Sequence, residues 1–249
     1  MPNIELLHID NIKFMKTLPD KAFDLAIVDI EYNIGASKPS TKPDTVKQKN
    51  GGYLKVNSNK YKHKDWDLKK STPQYFKELF RVSKRQIIFG GNYYGLSGGY
   101  LVWDKMNGSC DQFGCELAWL SFTDRTDIVY YLWSGMMQGL VCSNNINEAL
   151  KQKGDKKLNQ DRIHVTEKPI LLYKYILENY AKKGDKILDT HGGSRSLAIA
   201  AYDLGFDHVS CEIDIDYHND SKARFESHVA DYAPVSEIAV NSEGQIKMF

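Results

Sequence analysis

Three acids in this 249-residue chain stand where an apolar run gives out. Leu25-Ala26-Ile27-Val28 stops at Asp29, and Tyr32 follows three positions later. A second run stops at Asp189 and continues as Thr190-His191-Gly192-Gly193-Ser194-Arg195-Ser196. A third reaches Glu212, about twenty residues further on, the spacing typical of an acid after a glycine turn. An acid and an aromatic delivered together to the end of a buried strand could accept hydrogen bonds from a polar group and cover it with a ring. Strand, glycine turn, helix, strand, acid is the order in which α/β folds hold an adenosine. The backbone approaches the ligand at the glycines, and the carboxylate takes the ribose hydroxyls. The bland alternative is a tight connection with helix-capping acids; ligand binding is the favoured reading.

The elements that must position these residues alternate. Strands are predicted at Ile4–Leu7, Asp24–Val28, Gln86–Phe89, Leu101–Trp103, Glu116–Leu120, Asp127–Trp133, Lys186–Leu188 and Val209–Ile213. Helices are predicted after Asp10, from Pro73 to about Val82, from Pro169 to Tyr180, from Ser194 to Leu204, and from Asp216 to about His228. Proline suits the first turn of a helix, and Leu172, Ile176 and Tyr180 repeat at fourth positions. Alternation of this kind predicts a parallel, doubly wound sheet with right-handed crossovers. Ligands then bind beyond the carboxyl ends of the strands, where Asp29, Asp189 and Glu212 lie.

Net charge is only +1, but it is unevenly placed. Between Ala36 and Thr72 there are ten lysines against three aspartates, interleaved with Tyr53, Tyr61 and Trp66. The stretch reads as a long basic loop with at most a short hairpin near Tyr53–Val56. Lysines with aromatics suit a phosphate backbone and unstacked bases, which nominates Lys47, Lys49, Lys55, Lys60, Lys62 and Lys64 as DNA contacts. Met136 to Arg162 is polar and without clear periodicity. The four cysteines are sparse and irregular, as expected of reduced thiols in a cytoplasm, and no zinc spacing is present. No metal is expected. No apolar run is long enough for a membrane span, and the N-terminus lacks the layout of a signal peptide.

Taken together, the motifs resemble those of amino-group DNA methyltransferases, the adenine-N6/cytosine-N4 type. Asp29-Ile30-Glu31-Tyr32 occupies the place of the family's Asp-Pro-Pro-Tyr. "RIHVTEKPILLYKYI" resembles its His-Pro-Thr-Glu-Lys-Pro segment. "ILDTHGGSRSLAIAAYDLGF" resembles the cofactor glycine motif, and "CEIDIDY" the acidic motif after it. "FGGNYYGL", "LVWDK" and "ELAWLSF" resemble intervening segments. The catalytic motif precedes the cofactor motif, which is the permuted order of the beta class. The resemblance implies a doubly wound, Rossmann-like α/β fold for S-adenosylmethionine-dependent transfer, with a mixed sheet and helices on both faces. It implies one domain over residues 1–232, with 136–162 as a target-recognition insert.

By the same resemblance, Asp29 and the carbonyl of Ile30 accept the two amino hydrogens of the target base, and Tyr32 stacks on it. The base must leave the duplex. Asp189, Thr190, Gly192, Gly193, Ser194 and Glu212 would hold S-adenosylmethionine, together with Asp29 and Lys168, the latter as a structural or cofactor-pocket residue. Aspartate rather than serine at position 29 favours adenine. Restriction-modification or prophage context, duplex DNA as partner and a homodimer go with the family. The chain also departs from it: Ile30 and Glu31 replace both prolines, Val165 replaces another, and Arg195 stands at a glycine position. Prolines restored at 30 and 31 are expected to maintain or raise activity. Arg195 either pairs with the cofactor's carboxylate or fills the pocket. The reading from a different class is a catalytically impaired relative that serves as a DNA-binding module. Cytosine-N4 or RNA methylation ranks below adenine.

Residues 233–249 read as an exposed tail. It ends in Gln245-Ile246-Lys247-Met248-Phe249, similar to a sliding-clamp-binding peptide with Gln245, Ile246, Met248 and Phe249 as the docking residues. A tail folded back on its own surface is the even alternative.

Overall fold

A computed structural model of the chain describes residues 1–32, 45–47, 52–55, 70–108, 113–134, 137–160, 163 and 167–231. The chain opens with β1 (Ile4–His8) and α1 (Asn11–Lys16), the latter capped by Asp10, whose carboxylate accepts from the Lys13 amide at 2.8 Å. Next come β2 (Phe23–Asp29) and a hairpin of β3 (Thr45–Lys47) and β4 (Tyr53–Lys55), with Val46 opposite Leu54. Thr72 caps α2 (Pro73–Val82), which has proline in its first turn. β5 (Ser83–Phe89) ends in a 3-10 turn at Gly91–Tyr94. β6 (Gly99–Asp104), β7 (Cys115–Leu120) and β8 (Thr126–Tyr130) follow, then short β9 (Trp133–Ser134), β10 (Met137–Gln138) and α3 (Ile146–Ala149). The last part is regular: α4 (Ile170–Tyr180), β11 (Ile187–Asp189), α5 (Ser196–Leu204), β12 (His208–Glu212) and α6 (Ile215–Asp231).

Eight strands form one sheet in the order β1-β12-β11-β2-β5-β7-β6-β8. From β1 to β5 neighbouring strands run parallel, as the alternation predicts. β7 does not: it is antiparallel to both β5 and β6. The link from Asp104 to Cys115 is too short for a crossover helix, so the chain must turn back. The sheet is therefore mixed.

The central strands are apolar on both faces because both are covered. Leu25, Ile27, Ile87 and Phe89 pack with Leu172 and Ile176 of α4 and Leu197 and Ala201 of α5. Ala26, Val28 and Ile88 pack on the other side with Met15 of α1 and Tyr75 and Leu79 of α2. Each of the larger side chains contributes about 1.5–3 kcal/mol by leaving water. Helices thus lie on opposite faces after the neighbouring strands β11 and β2. At such a switch point the chains diverge and open a crevice at the carboxyl ends. Asp189 and Asp29 end the two strands on either side of that point.

Lys47 and Lys55 lie on the hairpin strands. Lys49, Lys60, Lys62 and Lys64 lie outside the described residues, as do Arg162, Val165 and the tail with Gln245, Ile246, Met248 and Phe249. The segment from 136 to 162 holds β10, α3 and a 3-10 turn at Lys156–Leu158. No helix among the described residues is long and apolar enough to cross a membrane.

Candidate active site

Asp29 ends β2 in a cluster of charges. Its Oδ1 lies 2.5 Å from Lys168 Nζ and accepts from the Tyr32 hydroxyl at 3.0 Å. Lys168 also reaches Glu116 Oε2 at 3.0 Å, and Lys105 holds the other Glu116 oxygen at 2.6 Å. The same ammonium lies 4.6 Å from the centre of the Phe89 ring. Two carboxylates and two ammoniums so close together sum to zero, which is how a protein keeps charges out of water. Burial pushes the Asp29 carboxyl up, Lys168 opposes this, and Glu116 adds to it. Burial alone would raise Glu116 too, but Lys168 and Lys105 overcome it and hold that carboxyl at about 2. Glu116 is therefore charged at neutral pH, and Asp29 is the more basic of the two carboxylates.

Backbone shape seats the aromatic. Gly90 sits at φ +75°, and a Cβ there would fall on the Tyr32 ring. Tyr93, in the turn after Gly90, stacks on Tyr32 with centroids 5.1 Å apart at 27°. Ile30 is 2% exposed in the core beneath α2, so its side chain anchors the turn. The neighbouring Glu31 bonds to Ser71 at 2.8 Å. These contacts reverse the expectation for prolines at 30 and 31: they would empty a packed site and delete a bonded carboxylate.

The second turn is built differently. Glu212 ends β12, and its two carboxylate oxygens accept from the amides of Gly193 at 2.8 Å and Asp214 at 2.9 Å. Ile213 beside it is 64% exposed. Asp189 accepts from the His191 amide at 2.9 Å. Burial pushes its carboxyl up to about 6, against the His191 amide and the Arg195 charge. The Thr190 hydroxyl is taken up by Tyr75 at 2.7 Å and by His191 Nδ1 at 2.9 Å. Ser194 Oγ lies 3.0 Å from Ser196 Oγ, and both are buried. These residues fit an adenosyl group: a fixed acid, an exposed apolar side chain next to it, and a glycine turn. Lys168 stands apart from them, on the Asp29 side.

Arg195 is fully buried and has left-handed backbone, φ +60° and ψ +24°. That conformation explains why a glycine suits the position; for arginine it costs roughly 1–2 kcal/mol. The guanidinium turns inward. It bonds Ser210 Oγ and, at 3.3 Å, the Leu7 carbonyl. A Cβ on Gly192 would land on it and within 2.7 Å of Ser210 Oγ. The guanidinium thus lies against β1 and β12, held by Leu7 and Ser210. No group of acids, histidines and cysteines that could hold a metal occurs among the described residues.

The mixed sheet, covered on both faces and carrying acids at the carboxyl ends of its strands, is a Rossmann-like α/β fold. The PvuII DNA methyltransferase (cytosine-N4-specific) shares this fold, with TM-score 0.50 and 12% identity over 93% of this chain and 92% of that one. M1.HpyAVI in complex with SAM aligns over 89% of this chain and 99% of its own, at 15% identity and TM-score 0.49. Residues 45–223 match the N6/N4 DNA methylase family, more than two thirds of the chain. The chain belongs to that family of S-adenosylmethionine-dependent DNA amino-methyltransferases. No curated protein matches it.

Asp29, Ile30, Tyr32 and Lys168 are brought together; Asp189, Thr190, Gly192, Gly193, Ser194 and Glu212 form the neighbouring turn. Sequence reasoning missed Glu116, Lys105, Gly90 and His191. Glu116 and Lys105 lie in segments whose family resemblance is visible, but nothing in their spacing says that they meet Lys168. Gly90-Gly91 was a readable signal for close approach by a ring.

Proposed function

We propose that the chain transfers a methyl group from S-adenosylmethionine to adenine N6 of a base flipped out of duplex DNA. The observation that carries this reading is the Asp29 carboxylate at the end of β2, bonded to Tyr32 and Lys168 at the mouth of the crevice. An exocyclic amine is a poor nucleophile because its lone pair is delocalised into the ring. Asp29 and the Ile30 carbonyl accept its two N–H bonds and so favour the pyramidal, nucleophilic form. Bound S-adenosylmethionine supplies an electrophilic methyl group. Glu212 holds its ribose, and Ile213 offers an apolar surface to its adenine. The amine must lose a proton as the new N–C bond forms. Asp29, raised by burial, is placed to receive it and pass it to water. Tyr32, with Tyr93 stacked on it, packs against the base.

Aspartate at 29, rather than the serine that the resemblance links to cytosine, supports adenine. The inward course of Arg195 supports a working enzyme over a DNA-binding relative, because it leaves the glycine turn to the cofactor. The lysines from 36 to 72 supply phosphate contacts. The test is a set of DNA duplexes and matched RNAs incubated with S-adenosylmethionine, digested to nucleosides and read by mass spectrometry. N6-methyladenine is the expected product. N4-methylcytosine, or product only on RNA, rejects the base assignment, and no product with tight DNA binding favours the non-catalytic reading.

A further inference from the structure

Glu31 departs from the family motif, and a residue of the cofactor turn answers it. Glu31 Oε1 lies 3.4 Å from His191 Nε2. The other oxygen accepts from Ser71 Oγ at 2.8 Å, and the Tyr94 hydroxyl donates to the Glu31 carbonyl at 2.6 Å. The imidazole is 16% exposed. Facing it are Glu31, Asn11 of α1, Thr190 and the edge of Tyr75 of α2, with the carboxylates of Asp189 and Glu212 near enough to act on its charge.

His191 Nε2 has two neighbours of opposite kind. The Asn11 side-chain nitrogen lies 3.2 Å from it and also 3.2 Å from the Thr190 carbonyl. A carbonyl only accepts, so the Asn11 atom must be the amide NH2. A protonated Nε2 donates to Glu31; an unprotonated one accepts from Asn11. Nδ1 lies 2.9 Å from the Thr190 hydroxyl, which serves it in either state.

We propose that Glu31 and His191 form a latch tying the Asp29–Tyr32 turn to the cofactor turn, with His191 a positioning residue for methyl transfer. The proposal rests on the catalytic reading of Asp29 and Tyr32. In the family motif two prolines fix φ in this turn. Here the ion pair restrains it from outside, and it joins the two halves of the site so that ordering one orders the other.

The latch has a pH limit. Burial works against the imidazolium, but the carboxylates of Glu31, Asp189 and Glu212 outweigh it and hold His191 above its ordinary value. Burial would raise Glu31, yet His191 and Ser71 hold it at about 2. Glu31 is thus charged throughout the working range. The pair is complete below the raised His191 pKa and is lost as pH rises through it.

The experiment uses the full chain, wild type and E31Q, with H191Q as a second variant. Histidine resonances are followed by NMR from about pH 5 to about pH 9, the range in which imidazole titrates; H191Q assigns the His191 signal. S-Adenosylmethionine affinity is measured by calorimetry, and single-turnover methyl transfer to duplex DNA by radiolabel, over the same range. Expected is a His191 midpoint that falls in E31Q. Both variants should transfer roughly ten- to a hundredfold more slowly at low pH, the cost of a misplaced reacting group. The wild-type rate should fall towards theirs at high pH. An unchanged His191 midpoint in E31Q, or an alkaline limb that survives in E31Q, overturns the latch. A wild type that methylates no duplex rejects the catalytic reading instead. The latch then stands or falls on the histidine midpoint and on whether E31Q abolishes the pH dependence of cofactor affinity.

Discussion

The two ends of the crevice hold a carboxylate in opposite ways. At Glu212 the grip is backbone: two amides, Gly193 and Asp214, each bonded to one oxygen. At Asp29 the grip is side chain: Lys168 and Tyr32 directly, with Glu116 and Lys105 behind them. A backbone amide survives substitution of its own residue; an ammonium does not. The cofactor end can therefore carry an arginine at a glycine position and still fix its acid. The catalytic end depends on residues from four separate segments being present at once.

Loss of Lys168 should break the catalytic end hardest. Lys168→Met leaves Asp29 and Glu116 as buried carboxylates without their shared cation, a loss of about 3–5 kcal/mol in urea unfolding. Without that cation Asp29 rises further above its unfolded value, so the variant should regain stability as pH falls and a proton replaces the ammonium. A deficit independent of pH would show that Lys168 acts by packing alone.

Asp29→Ala should lower single-turnover transfer by about 10²–10³-fold, or about 3–4 kcal/mol, with cofactor affinity close to wild type. Full activity in this variant would remove Asp29 from the mechanism. Equal loss of cofactor binding would erase the contrast between the two ends.

Glu212→Ala should be milder, about 1–3 kcal/mol in cofactor affinity by calorimetry, the value of a charged hydrogen-bonded pair. Its amide partners keep their places on the chain, so transfer at saturating cofactor should change little. A fall in saturated rate as large as that of Asp29→Ala would mean that the backbone grip is no more tolerant than the ionic one.

The parts legible in the sequence were those that local pattern encodes. Asp10 announced a helix start, and Pro73 and Pro169 placed two helices within a residue of where they begin. Asp29, Asp189 and Glu212 were found because apolar runs stop at them. The mixed sheet was implied by the family resemblance, but alternation of elements alone did not place the antiparallel β7, because it does not report loop length. Strand 127–133 was read as one element, yet Tyr131 and Leu132 separate β8 from β9. Glu116, Lys105 and the Glu31–His191 contact join residues far apart in the chain, and no spacing rule records such a meeting. Arg195 was recognised as out of place, but its direction depends on Ser210 and Leu7, which only the fold brings beneath it.

The pairing of β1 with β12 has a consequence for how the molecule comes into being. Ile4 lies opposite His208, and the Asn3 amide donates to Asp207 at 2.8 Å across a separation of 204 residues. Of the eight strands of this sheet, the earliest in the chain thus has the latest as its partner. Closing so long a loop is slow, and contacts of this kind retard folding. On the ribosome, β2 and β5 can meet early, while β1 has no partner in this sheet until β12 emerges. Asp29 and Lys168 are therefore on the chain before Asp189 and Glu212, and the proposed cofactor turn is the later of the two to be completed.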